Sequence, residues 1–395
     1  MHFTRCVRKI VRRFPSNSFV RKFYNNRKVS SYANRFFTPE QIREAELDRF
    51  KKSQLLSAYA ARYPKEYDSF LSSIDLRLMS STAIAKRQHD QTLKDELLFC
   101  RLAYGFSFNE FFCFELEEKT ADQRKQYISE REHMEYVFRM NDRIDISLFN
   151  DKSETYHRFR KYYDRDAVVV ATQDDYRIFM EFVEKHSVFV KKKVNESMGR
   201  TVELIDLNQE GRDADSFFKD LLLSGKHLIE ERIIQDPEMA VFNESSVNTV
   251  RCITFMTPKE VLIPYCFIKC GRRGSFVDNG GAGGILAGID QNTGMLNTDG
   301  FDELHTRYFS HPDSKALFKG YKLPSFNELL ELCRELSVQC LSVRYIGWDL
   351  AYSNGKWVVV EGNGMSQFVG PQLVYERGIK QEVIGIMKGM DLIVK

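Results

Sequence analysis

The chain has 395 residues, 43% apolar and 13% aromatic, enough for two or three domains with cores of their own. No run approaches the roughly 18–20 uninterrupted apolar residues of a membrane-spanning helix, and no apolar h-region follows the N-terminal charges, so the pattern points away from a membrane span and from secretion. The net charge of +3 hides an asymmetry: residues 1–39 hold ten Lys or Arg and no acid, leaving a mildly acidic body without the basic, aromatic-interleaved stripe that nucleic-acid binding needs.

In the first segment Phe3, Val7, Ile10, Val11 and Phe14 recur at helical spacing, with Arg5, Arg8, Lys9, Arg12 and Arg13 on the other face. This predicts a basic amphipathic helix over an arm of residues 1–38. Three readings of it stay open: contact with an anionic membrane surface through residues 1–36, an organelle transit peptide, or a solvated arm.

From 39 to about 143 the pattern is helical and charged, as in "TPEQIREAELDRFKKSQLLSAYAARY" and "TADQRKQYISEREHMEYVFRMND", the latter a helix started by a capping box of Thr120 and Gln123. Between them "DELLFCRLAYGFSFNEFFCFELEEK" is an aromatic cluster broken by Gly105, and aromatics at this density read as core.

After residue 165 short β runs alternate with helices. "AVVVA", "SVFVKKK", "HLIEERI", "NTVRCITF", "VLIPYCFIKC", "IGWDLAY" and "WVVVEGN" read as strands, and "DDYRIFMEFVEKH", "DADSFFKDLLLSG" and "SFNELLELCRELSVQCLS" as helices, an α+β arrangement with mostly antiparallel neighbours. The eight cysteines never form a Cys-x-x-Cys pair, which fits a reducing cytoplasm, and Cys266 and Cys270 read as core neighbours on one strand face.

No P-loop, no Gly-x-Gly-x-x-Gly after a strand and no Gly-x-Ser-x-Gly elbow occurs. What stands out is the pair "IGWDLAY" and "WVVVEGNG", two apolar strands with acids embedded in both. A charge in mid-strand is costly unless an ion or a base neutralises it, and oxygen ligands from Asp349, Glu361 and Asn363 suit Mg²⁺. Register tests the idea. A two-residue Asn-Gly turn pairs Ser353 with Lys356 and sets Asp349 opposite Val360; a three-residue loop, or a bulge, sets Asp349 opposite Glu361 with Asn363 on the same face.

Upstream, "FVKKKVNESMGRTVELID" reads as strand, loop with Gly199, and strand, with Lys192 able to reach a phosphate while loop amides cover it. Glu230 and Glu231 at the end of "HLIEERI" can meet a base amine or a ribose hydroxyl. Arg251 leaves its strand on the opposite face from Val250 and Cys252 and can hold a phosphoryl group. Gly280, Gly281, Gly283 and Gly284 remove side chains where backbone must approach a ligand, or form a mobile loop.

In this order the motifs resemble the ATP-grasp superfamily. More narrowly, "NDKSETYHRF", "SSVNTVRCIT", "VDNGGAGGILAGIDQNTG", "HPDSKALFKGYKLPSF" and "IGWDLAYSNGKWVVVEGNG" are similar to its sugar-transfer-associated branch, over about residues 90–385. The resemblance implies an ATP-grasp fold, two α+β subdomains clasping ATP over residues 146–395, preceded by a helical domain over 39–145. It assigns Lys192 to the α and β phosphates under the Gly199 loop, Lys152 to the nucleotide, Glu230 and Glu231 to adenine and ribose, and Arg251 with Arg272 or Arg273 to the transferring phosphoryl group. Asp349, Glu361 and Asn363 match the metal triad for two Mg²⁺ ions. "KKKVNESMG" departs from relatives in lacking proline and a second glycine, which leaves Lys191, Lys192 and Lys193 unranked.

The implied function is an ATP- and Mg²⁺-dependent carboxylate–amine ligase acting through an acyl phosphate, on small-molecule carboxylate and amine substrates such as a sugar acid or amino acid, in the cytoplasm during surface-polysaccharide synthesis. The alternative is a kinase-like phosphotransferase acting on a hydroxyl. A nucleotide-sensing scaffold is a third reading, against which stands the complete metal triad.

Overall fold

The computed structural model describes residues 11–15, 18, 20–21, 23–26, 36–79, 90–195, 202–276, 278 and 283–392. Most of the basic helix expected in the first segment, together with Gly199, Gly280 and Gly281, lies outside the described residues. The chain divides into two compact units, one of 1–21, 140–302 and 306–366, the other of 22–139, 303–305 and 367–395.

The second unit is helical, and its helices begin where side chains can hold the first amides. Thr38 and Gln41 close a capping box ahead of Pro39–Leu47, Asp48 caps Arg49–Arg62, Asp90 caps Gln91–Ala103, and Ser107 with Glu110 boxes Phe108–Cys113. The aromatic run forms the core as expected: Phe99, Phe106 and Phe111 are buried with Leu93 and Leu97. Gly105 takes φ +86° and Arg131 lies where its Cβ would stand, so the break in the aromatic run is a position only glycine fills.

The long helix expected from Thr120 is corrected. Its capping box forms, but the helix ends after Ala121–Arg124 and a new one runs Glu130–Met140. The break is held by tertiary contacts: Ile128 donates its N–H to Gln372 Oε1 at 2.7 Å and accepts from Gln372 Nε2 at 3.0 Å, and Gln126 O accepts from Lys380 N at 3.0 Å. A side chain 244 residues away replaces two intrahelical bonds, which no local pattern announces.

The first unit carries two antiparallel sheets. In the smaller, β1 (Ala167–Val170), β2 (Val188–Lys193), β3 (Val202–Asp206) and β4 (His227–Glu231) lie in the order β1-β4-β2-β3. Phe189, Ile205 and Ile229 pack with Phe179, Phe182, Phe217 and Phe218 of helices Tyr176–Lys185 and Ala214–Ser224. Register sends Val190, Lys192 and Glu230 to the other face.

The larger sheet has β5 (Thr249–Met256), β6 (Val261–Cys270), β7 (Ile285–Ile289), β8 (Leu296–Phe301), β9 (Arg307–Tyr308), β10 (Tyr345–Ser353) and β11 (Lys356–Asn363) in the order β11-β10-β5-β6-β7-β8-β9. Strands β7 to β9 extend the sequence expectation: 285–289 is wholly buried, although its Ala and Gly weaken the β signal. Helix Phe326–Ser337 covers one face, where Trp348 Nε1 donates to Ser337 Oγ at 3.2 Å. Cys266 and Cys270 are buried core thiols, as expected, and Cys252 is buried beside Cys266. Among the described residues no helix is long and apolar enough to cross a membrane.

Candidate functional site

The hairpin of β10 and β11 decides which acids share a face. Its turn is the two-residue kind, with Ser353 paired to Lys356 and both Asn354 (φ 53°) and Gly355 (φ 72°) left-handed. Asp236 fixes it by accepting from Asn354 N at 2.9 Å and Gly355 N at 2.7 Å. The three-residue loop is therefore corrected. A bulge restores the register instead: Leu350 faces Val359, Asp349 faces Glu361, and Val360 is the extra residue, so Asn363 opposite Gly347 joins the same face.

Across that face runs a row of charge. Glu361, Asp349 and Arg251 sit opposite one another on β11, β10 and β5. Arg251 grips Asp349 with two bonds of 2.5 Å, Nε to Oδ1 and Nη2 to Oδ2, and its Nη1 donates to Ser366 Oγ at 3.2 Å. Lys269 of β6 adds its ammonium 3.1 Å from Asp349 Oδ2 and 3.7 Å from Asp278. Burial pushes the Asp349 carboxyl up, but Arg251 and Lys269 outweigh it and hold the group below the usual carboxylate range. Asp278 is pushed up, chiefly by burial, despite Lys269 and the bonds it accepts from Thr249.

On the small sheet Lys192 is the member of the lysine triplet turned to the open face, where it pairs with buried Glu230; Lys191 instead meets Glu203 at 2.9 Å. Glu230 also accepts from Arg165 Nη2 at 3.2 Å. Burial alone would raise the Glu230 carboxyl, and Arg165 with Lys192 brings it below its ordinary value. Arg165 Nη1 reaches Val359 O at 2.7 Å, beside the bulge, so one buried guanidinium ties the Lys192–Glu230 pair to the strand that sets Glu361. Lys152 comes from a helix start, its N–H bonded to Val194 O at 3.0 Å and its Nζ 3.7 Å from Glu361 Oε1.

The remaining expected residues lie apart from this row in their contacts. Glu231 is on the opposite strand face from Glu230 and accepts from Asp166 N at 3.1 Å. Arg272 pairs with Asp302 at 3.2 Å and bonds Tyr308, and Arg273 is exposed with φ 56°. Lys269, Asp278 and Arg165 were not among the expected residues. Lys269 carried the signal that exposed Asp349, a lone charge in an apolar strand; the other two had no such mark.

Asp349, Glu361 and Asn363 offer only oxygen donors apart from one amide nitrogen, a set that fits Mg²⁺. Asn363 Nδ2, a hydrogen-bond donor, is buried without a partner among the described residues, and the amide's other atom, Oδ1, is the one that could meet a cation. Glu361 is the half-exposed acid with lone pairs open, whereas both oxygens of Asp349 are already engaged by cations. A cation fits best at Glu361 and Asn363, with Asp349 shared.

A family model for sugar-transfer associated ATP-grasp proteins matches residues 131–388. The chain belongs to that family. Its ATP-grasp fold accounts for the two antiparallel sheets with their helices, and most of the helical unit precedes them in the chain. No curated protein matches the sequence. Solved structures similar to it are ATP-grasp ligase PsnB complexed with a phosphomimetic variant of minimal precursor, Mg and ADP (11% identity, TM-score 0.39, 64% of this chain and 62% of that chain), D-alanine–D-alanine ligase from Bacillus anthracis complexed with ATP (14%, 0.37, 64% and 67%), and phosphoribosylamine–glycine ligase from Thermotoga maritima (13%, 0.40, 64% and 56%). The chain spans less than two thirds of the length of PsnB, 62% and 59% in two complexes.

Proposed function

We propose that this ATP-grasp protein is an ATP- and Mg²⁺-dependent carboxylate–amine ligase that uses a sugar acid or amino acid in surface-polysaccharide synthesis in the cytoplasm. The observation that supports it most is the bulged hairpin, which turns Glu361 and Asn363 to the same face as Asp349 and Arg251, while Arg165 joins their strand to Lys192 and Glu230.

In this reading Lys192 and Lys152 hold nucleotide phosphates, since each ammonium now rests on a carboxylate that a phosphate can replace. Glu230 contributes its side chain to the nucleotide, and Glu231 only its main chain, because strand alternation turns its carboxylate away. Mg²⁺ held by Glu361 and Asn363, with Asp349, would neutralise charge on the transferring phosphoryl group. Arg251 and Lys269 position Asp349, leaving Arg272 and Arg273 as the arginines for the phosphoryl oxygens. A substrate carboxylate oxygen attacks the γ-phosphorus and ADP leaves; the amine then attacks the acyl carbon, and phosphate departs carrying that oxygen.

The test is ADP release over paired uronic acids, amino acids and amines, with ¹⁸O in the carboxylate. Ligation places one ¹⁸O in phosphate and requires the amine, and Glu361→Gln lowers the rate by about 10²–10³. A stable phosphorylated hydroxyl formed without amine would instead establish the phosphotransferase.

A further inference from the structure

We propose that Asp166, His186 and Glu231 form a site for a zinc-class divalent cation on the helix-covered side of the small sheet. The inference is independent of the ligase reading. One imidazole nitrogen and two carboxylate oxygens lie within 4.8 Å of one another, and His186 Nε2 stands 3.1 Å from Asp166 Oδ2. In a tetrahedral zinc site with bonds of about 2.0–2.1 Å, ligand atoms are roughly 3.3 Å apart, so the His186–Asp166 pair is already at that spacing and the Glu231 oxygen would close by at most about 1.5 Å.

Each ligand is held on a fixed support. Asp166 directly precedes β1 and Glu231 ends β4; Glu231 N donates to Asp166 O at 2.9 Å, and Asp166 N donates back to Glu231 Oε2 at 3.1 Å. His186 ends helix Tyr176–Lys185 with its N–H on Phe182 O at 3.0 Å, and its ring lies 4.9 Å from the Phe182 ring. Three elements far apart in sequence thus present donors to one point.

Charge and donor type point to the same occupant. Two carboxylates meet here, and among the described residues no lysine or arginine pairs with either. Imidazole beside carboxylate suits Zn²⁺, Co²⁺ or Ni²⁺, whereas Mg²⁺ prefers all-oxygen sites such as Glu361 with Asn363. The competing explanation is a His186–Asp166 ion pair in which a proton is the only cation.

The test is calorimetric titration of the chelator-stripped full chain with Zn²⁺ in excess Mg²⁺, repeated with Co²⁺ for its visible absorption. The expected result is one zinc equivalent that raises the unfolding midpoint by a few degrees, retained in Glu361→Gln and weakened at least ~10-fold in both His186→Ala and Asp166→Asn. Circular dichroism of the two variants separates loss of ligand from loss of fold, and Asp166→Asn preserves the shape if His186→Ala does not fold. No zinc bound by the wild type, or the same binding and thermal shift in a folded His186→Ala, overturns the proposal.

Discussion

Arg165 has two buried tasks, one on Glu230 and one on Val359 O, and its ring neighbour Tyr163 stacks at 4.5 Å. Arg165→Leu leaves Glu230 buried with Lys192 as its one remaining counter-charge among the described residues and frees the carbonyl beside the bulge. Removing one partner of a buried pair costs about 3–5 kcal/mol, and urea unfolding is expected to show a loss of that size. A second residue-scale prediction concerns Glu110. Burial pushes its carboxyl up to about 7, although Ser107 N and Glu130 N both donate to it. Between the ordinary carboxylate range and about 7 the folded state holds a proton that the unfolded chain has lost, so stability falls as pH rises through that window. Glu110→Gln is expected to flatten the fall, measured as unfolding free energy from pH 5 to 8.

Legibility at this scale followed local contrast. Asp349 and Arg251 were readable because each is one charge in an apolar strand, and Lys269 bears the same mark. Asp278 sits in a glycine-rich loop and Arg165 among other charges, so only folding reveals that they serve buried partners.

At the scale of elements, the strand and helix runs after residue 165 were readable from alternation and amphipathicity. The break between Ala121–Arg124 and Glu130–Met140 was not, because the Gln372 amide makes it. Gln372→Ala strands the N–H and the C=O of Ile128 in a buried place. An unsatisfied buried group costs about 1–3 kcal/mol, and thermal unfolding should show at least that loss; an unchanged midpoint would mean that the break is set locally.

For the whole molecule, the described part of the N-terminal arm bears on its readings. Val11 and Arg21 are buried, and Arg21 pairs with Asp142 and, at 3.3 Å, with Asp145. Deleting residues 1–36 would leave Asp142 without this partner, so removal of residues 2–10 is the cleaner test of membrane contact. If the arm meets anionic lipid, that deletion lowers co-sedimentation with anionic vesicles and leaves thermal stability unchanged; equal co-sedimentation excludes a lipid role for those residues.

The hairpin separates what sequence determined from what tertiary structure decided. Sequence by itself determined two apolar strands and their carboxylates, because alternation is a property of neighbouring residues; it left a three-residue loop and a two-residue Asn354–Gly355 turn both open, and the structure forms the latter. That turn in a regular ladder would set Asp349 against Val360. The bulge that brings Glu361 opposite Asp349 goes with contacts from distant elements: Arg165 on Val359 O, Arg251 and Lys269 on Asp349, and Asp236 on the turn amides. A buried carboxylate must keep its counter-charges; those of Asp349 come from β5 and β6, while the extra residue lies in β11, beside the carbonyl that Arg165 holds.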